Sequence, residues 1–186
     1  MQIREKLIPD SSFFLCFLDD LEGIMDESER FGFIYLVARK FYVEIPGHVH
    51  YEVGFERRNP DFSDYISVVS IDDYVKDATP YEPLRLVIDR GEFEVILLSY
   101  VHKTTNGDDF IFILDDDIAR KKVQQFLPVL SENLTGTIGF LSHLEQNNYI
   151  SAEFTSNIFR CIGESKFRIS KKILDSAIKN IEGKGK

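Results

Sequence analysis

The sequence predicts an α/β fold: a three-layer α/β/α sandwich around a central parallel sheet, followed by C-terminal helices. Three observations lead there. Short apolar runs alternate with stretches of three- and four-residue apolar spacing, the mark of strands alternating with helices. Phe110 to Leu114 is a near-continuous apolar run, as expected of a strand covered on both faces. Carboxylates recur where strands end and helices begin, the edge at which open α/β sheets bind ligands.

Lys6-Leu7-Ile8-Pro9 reads as the first strand and ends at Asp10. From Ser12 the pattern turns helical, with Phe13, Phe14, Phe17, Leu18 and Leu21 on one side and Ser11 or Ser12 as the expected cap. Ser28 to Lys40 is a second helix, with Phe31, Ile34, Tyr35 and Ala38 on one face. Phe41 to Ile45 reads as a strand closed by Pro46-Gly47, and Gly47 to Arg57 as one short helix carrying Glu52. Tyr65 to Ile71 is β-branched and strand-like. Asp72 to Arg90, acidic and holding Pro80 and Pro83, takes no clear assignment.

Gly91 opens a helix whose buried face is Phe93, Ile96, Leu97, Tyr100 and Val101. The turn Asn106-Gly107-Asp108 leads into the strand Phe110 to Leu114. Asp115-Asp116-Asp117 ends that strand, and a helix with Arg120, Lys121 and Lys122 follows. Another helix starts at Thr137 after Gly136. Ser151 to Ile162 and Ser170 to Ile181 are the last two. The final one carries Ile169, Ile173, Leu174, Ala177, Ile178 and Ile181 as its apolar stripe, with Ser170 as cap. Glu182 to Lys186 is a polar tail, expected to fray.

The length of 186 residues suits one domain, residues 1–150, with a helical extension, residues 151–186, packed on or beside it. Sixteen Phe and eight Tyr supply a sizeable core. No apolar run approaches the roughly 20 residues of a membrane span. The N-terminal stretch lacks the apolar region of a secretory signal, so a cytoplasmic location is expected. Cys16 and Cys161, with no metal-ligand spacing, read as buried thiols. The net charge of −9 argues against broad nonspecific nucleic-acid binding, but not against a compact catalytic site.

Asp10, Glu52, Glu92 and Asp116 are the candidate site residues. Carboxylates gathered at one sheet edge repel one another unless a divalent cation neutralises them. A hard cation such as Mg²⁺ takes oxygen ligands. The competing reading is simpler: a lone acid at a helix start is favoured by the helix dipole alone. His48-x-His50-x-Glu52 is not expected to bind metal, because residues two apart on a helix do not share a face. Arg120-Lys121-Lys122 fits a phosphate contact and a solvated face equally well.

Segments around these acids resemble the PIN-domain superfamily, in particular short prokaryotic members with an FRIS-type C-terminal helix. LIPDSSFFL, Leu7 to Leu15, places Asp10 after the first strand. IPGHVHYEV, Ile45 to Val53, places Glu52 on the helix after the second. GEFEVILLS, Gly91 to Ser99, is similar to a family helix start. ILDDDIARKKV and LTGTIGFL, Ile113 to Val123 and Leu134 to Leu141, resemble its Asp-Asp strand end and the Gly-Thr-x-Gly helix that follows. KFRISKKILDSAI, Lys166 to Ile178, is similar to the tail of that subgroup.

The resemblance implies a metal-dependent endoribonuclease acting on single-stranded or structured RNA. Asp10, Glu92 and Asp116 would hold Mg²⁺ or Mn²⁺, and Glu52 would complete the pocket and orient or deprotonate the attacking water. Glu92 is preferred to Glu94 because the two point about 200° apart on one helix. Asp116 is preferred to Asp115 and Asp117. The resemblance also permits a toxin of a toxin–antitoxin pair, with an antitoxin-like protein partner, and a homodimer; it implies no membrane. Leu114 stands where the family often has Ser or Thr, and Asp117 where the subgroup usually has Arg. Asp117, the acidic net charge and the divergent segment between Gly54 and Asp89 favour a second reading, a PIN-like interaction module with weak or no activity. A flavodoxin-like or receiver-like domain is a third, disfavoured by the missing phosphate-binding loop.

Overall fold

The computed structural model describes residues 4–58, 60–72, 88–106 and 109–183. Most of the unassigned stretch (73–87), residues 107 and 108 of the expected turn, and residues 184–186 of the tail lie outside them.

Five parallel strands form one sheet in the order β3-β2-β1-β4-β5. They are β1 (Lys6–Pro9), β2 (Tyr42–Pro46), β3 (Ile66–Val69), β4 (Phe110–Ile113) and β5 (Leu134–Thr135). β1 is central, with Leu7 opposite Val43 on one side and Ile111 on the other. Successive residues of a strand face opposite sides, and both Leu7 and Ile8 are fully buried. The sheet is therefore covered on both faces, which completes the three-layer α/β/α sandwich.

Helices fill the crossovers: α1 (Ser11–Leu15, continued by a π-helical turn, Cys16–Asp20), α2 (Glu27–Lys40), α3 (Gly47–Val53), α4 (Phe55–Arg58), α5 (Arg90–Val101), α6 (Asp117–Phe126) and α7 (Thr137–Gln146). α8 (Ala152–Glu164) and α9 (Lys171–Glu182) follow. The single helix expected over Gly47 to Arg57 is two, because Gly54 takes φ 63°, a left-handed conformation that ends α3. β5 was not expected: two residues carry too little pattern to read as a strand, and pairing with Phe112 and Ile113 creates it.

One core unites these layers. The Phe13 ring lies 5.2 Å from Phe14, 5.7 Å from Phe17 and 5.7 Å from Phe140, so α1 is pinned to α7. Phe33 on α2 reaches Phe154 on α8 at 6.4 Å, drawing the C-terminal helices into the same core. Burying such a ring stabilises by roughly 2–3 kcal/mol. α9 buries Leu174, Ala177 and Ile181, a narrower stripe than expected; Ile173 is 43% exposed.

Candidate active site

The crevice lies where β1 and β4, neighbours in the sheet, send their chains to opposite sides. β1 leaves at Asp10, whose backbone N–H donates to the Ile113 carbonyl at 3.1 Å and extends the ladder. That bond holds Asp10 extended, at φ −78° and ψ 176°, in the conformation of an N-cap. Its Oδ1 accepts from the Phe13 N–H at 3.2 Å, so Asp10, not Ser11 or Ser12, caps α1. Its Oδ2 accepts from the Asp115 N–H at 3.4 Å, and the side chain is buried.

Asp115 is fixed by the start of α7. Its Oδ1 accepts from the Thr137 N–H at 2.8 Å and its Oδ2 from the Thr137 hydroxyl at 2.6 Å. Arg120 reaches the same spot from α6. A Cβ on Gly136 would stand 2.6 Å from Arg120 Nη1 and 3.0 Å from Asp115 Oδ1, so a larger residue there would push the Arg120 guanidinium off the helix start. Asp116, one residue on, is exposed and caps α6, its Oδ1 accepting from Ile118 and Ala119 N–H groups at 2.8 Å each.

Glu92, in the first turn of α5, lines the same cavity as Asp115 and Asp116. Glu94 is buried and faces elsewhere. It accepts from Arg90 Nε at 2.9 Å and from the His48 N–H at 3.2 Å, fastening α5 to the amino end of α3. Glu52 is exposed beside the start of α5. Its Oε1 lies 3.2 Å from His48 Nε2, and its Oε2 would be 2.9 Å from a Cβ on Gly91. His48 and Glu52, four apart on α3, thus share a face, while His50 turns toward Phe55 at 6.0 Å.

Electrostatics divide the acids into two groups. Burial first, and then the Asp115 charge, push the Asp10 carboxyl well above its usual range, against the lowering effect of two backbone N–H groups. Burial also raises Asp115, although Thr137 and Arg120 oppose it. Burial, Asp116, Asp89 and Glu52 together raise Glu92 to about 7. An inner pair, Asp10 and Asp115, therefore sits behind an outer set of Glu92, Asp116 and Glu52.

Among the described residues, no three carboxylate, histidine or cysteine side chains stand in a ready-made metal shell. The chemistry of the donors still suits a hard cation. They are all carboxylate oxygens, and the buried Asp10 beside Asp115 carries an electrostatic cost that a divalent ion would relieve.

Asp115, which bonds Asp10, and Thr137, which holds Asp115, emerge as parts of the site that residue spacing alone did not single out. Thr137 stands in the Gly-Thr-x-Gly stretch, which was the available signal. The cavity, about 1110 Å³, continues from these acids past Arg120 to Lys166, Arg168 and Lys172. Lys172, in the first turn of α9, is exposed and borders this cavity.

A parallel sheet with carboxylates clustered at its switch point defines an α/β protein with an acidic pocket. The PIN-domain family DUF3368 matches residues 34–183, most of the chain, and the chain belongs to that family. PIN domains are generally nucleases and typically use divalent metals. Comparison with curated proteins and with solved structures found no match. The family match begins within α2, so Asp10 lies outside it. Among the described residues, no helix is long and apolar enough to cross a membrane.

Proposed function

We propose that the protein is a Mg²⁺- or Mn²⁺-dependent endoribonuclease that hydrolyses phosphodiester bonds at the carboxyl edge of its sheet. One observation carries the reading: Asp10 is buried against Asp115 with its carboxyl pushed up, so the backbone N–H groups on Asp10 and the Thr137 and Arg120 contacts of Asp115 balance the pair only in part. Asp10, Glu92 and Asp116 would hold the ion, directly or through water, with Asp115 behind them. When bound, a divalent cation there supplies polarisation of the phosphate and an acidified water. Glu52, steadied by His48, would orient that water and accept its proton. Thr137 holds Asp115 in place, and Arg120 stands where a phosphate oxygen would need a donor.

Mn²⁺ titration by calorimetry, paired with cleavage of single-stranded RNA, tests this. Wild type should take up Mn²⁺ and cleave. Asp10→Asn should lose uptake and at least about 100-fold of activity, since even outer-shell substitutions cost 10–100-fold. Equal cleavage by Asp10→Asn would sink the assignment.

A second reading, a PIN-like interaction module, is favoured by the commitment of Asp116 Oδ1 to two backbone N–H groups. It predicts no Mn²⁺ uptake by wild type at millimolar metal. A toxin role with an antitoxin-like partner, and a homodimer, rest on the resemblance alone. Light scattering of the protein, alone and co-expressed with the product of an adjacent gene, tests both.

A further inference from the structure

We propose that the segment Lys166–Ser170 and the start of α9 form a track for the phosphodiester backbone of a single-stranded nucleic acid, leading it into the acidic crevice. This deepens the nuclease reading and rests on it. The segment lies outside helix and strand and alternates in burial: Phe167 and Ile169 are partly buried against the core, while Lys166, Arg168 and Ser170 are exposed. Phe167 is held further by its N–H, which donates to Ser165 Oγ at 3.1 Å. The apolar side chains therefore anchor the strip, and the cations are displayed in a row.

That row borders the cavity holding Glu92, Asp115 and Asp116. Lys172 continues it one helical step into α9, and Arg120 closes it next to Asp115. Among the described residues, neither Arg168 nor Lys172 is in an ion pair. Lys166 acts weakly on Asp20, whose carboxyl burial raises and Lys166 lowers. Ser170 caps α9 by position without a side-chain hydrogen bond. On a chain of net charge −9, four cations gathered on one wall, with Arg168 and Lys172 outside any ion pair among the described residues, favour a polyanion at that wall. Phosphate contacts are sequence-independent, so this wall would set affinity and path, not base preference.

Fluorescence anisotropy of a short labelled single-stranded RNA, with Ca²⁺ and with EDTA, tests the track without requiring cleavage. The variant Lys166→Ala/Arg168→Ala/Lys172→Ala should bind at least about tenfold more weakly at low salt. Its log–log salt slope should be shallower by roughly 2, at about 0.7 per lost phosphate contact. The charge-matched control Arg39→Ala/Lys40→Ala/Lys103→Ala, whose residues do not line the cavity, should change neither. DNA of the same sequence should respond in parallel if backbone phosphates are the ligand. A wild type that binds under neither condition, or equal losses in both triple variants, overturns the track. Binding that depends on these three cations without any Mn²⁺-dependent cleavage would remove the nuclease reading and leave the track standing.

Discussion

Two buried carboxylates, at opposite ends of the sheet, are treated in opposite ways. Glu44 on β2 sits toward the amino end with Lys6 Nζ at 3.5 Å and His102 Nε2 at 2.6 Å. Lys6 Nζ is itself 2.9 Å from His102 Nδ1. Burial pushes the Glu44 carboxyl up, but the His102 contact and the Lys6 charge outweigh it, and the net shift is downward. Asp10, at the carboxyl end, has another acid as its nearest charged neighbour and is shifted upward. The first carboxylate is settled by its own fold. The second is not, and that contrast is what the proposed metal site predicts.

The largest stability effect should come from breaking the settled end. Glu44→Gln removes the anion between Lys6 and His102 and should cost about 3 kcal/mol in urea denaturation, with Mn²⁺ uptake intact. A loss below about 1 kcal/mol would mean that the cluster behaves as a screened surface pair.

The unsettled end should show itself through pH. Glu92 is shifted from 4.5 unfolded to about 7 folded, and Asp10 and Asp115 shift the same way. Between those values the folded protein binds more protons than the unfolded chain. Metal-free stability should therefore fall as pH rises from about 5 through about 7. Saturating Mg²⁺ should flatten the slope, and Asp10→Asn should make it shallower. Thermal melts in EDTA that rise with pH across this window would contradict the assignment. The smallest effect is expected of Thr137→Val, which removes the hydroxyl donor to Asp115. It should cost about 1.5 kcal/mol in the same urea assay, and the metal-free melts should depend more steeply on pH. An unchanged urea midpoint would deny Thr137 its holding role.

The first four strands and their order of appearance could be read from hydrophobic runs, because a sheet buried on both faces demands them; β5, two half-buried residues, could not. Asp10, Glu92 and the Asp115–Asp117 run were visible as acids at element ends for the same reason. The finer division was not. Asp115 and Asp116 are neighbours of identical type, and only the exit angle of β4 decides which turns inward to Asp10 and which caps α6. The cap of α1 was misplaced because Asp10 looked like a strand terminus, and it is both. The alternation of Lys166 and Arg168 with Phe167 and Ile169 was in plain view. It gains meaning only when α7 and α9 place that segment opposite the acids.

α5 runs between the two clusters, from Glu92 in its first turn to His102 at its C-cap, a rise of roughly 15 Å. Its aligned peptide groups make it an electrically polarised rod, positive where the acids gather and negative where Lys6 and His102 meet. Chain direction through one helix thus assigns a sign to each edge of the sheet. Reversing that crossover would leave every side chain available and still misplace the field that each cluster sits in.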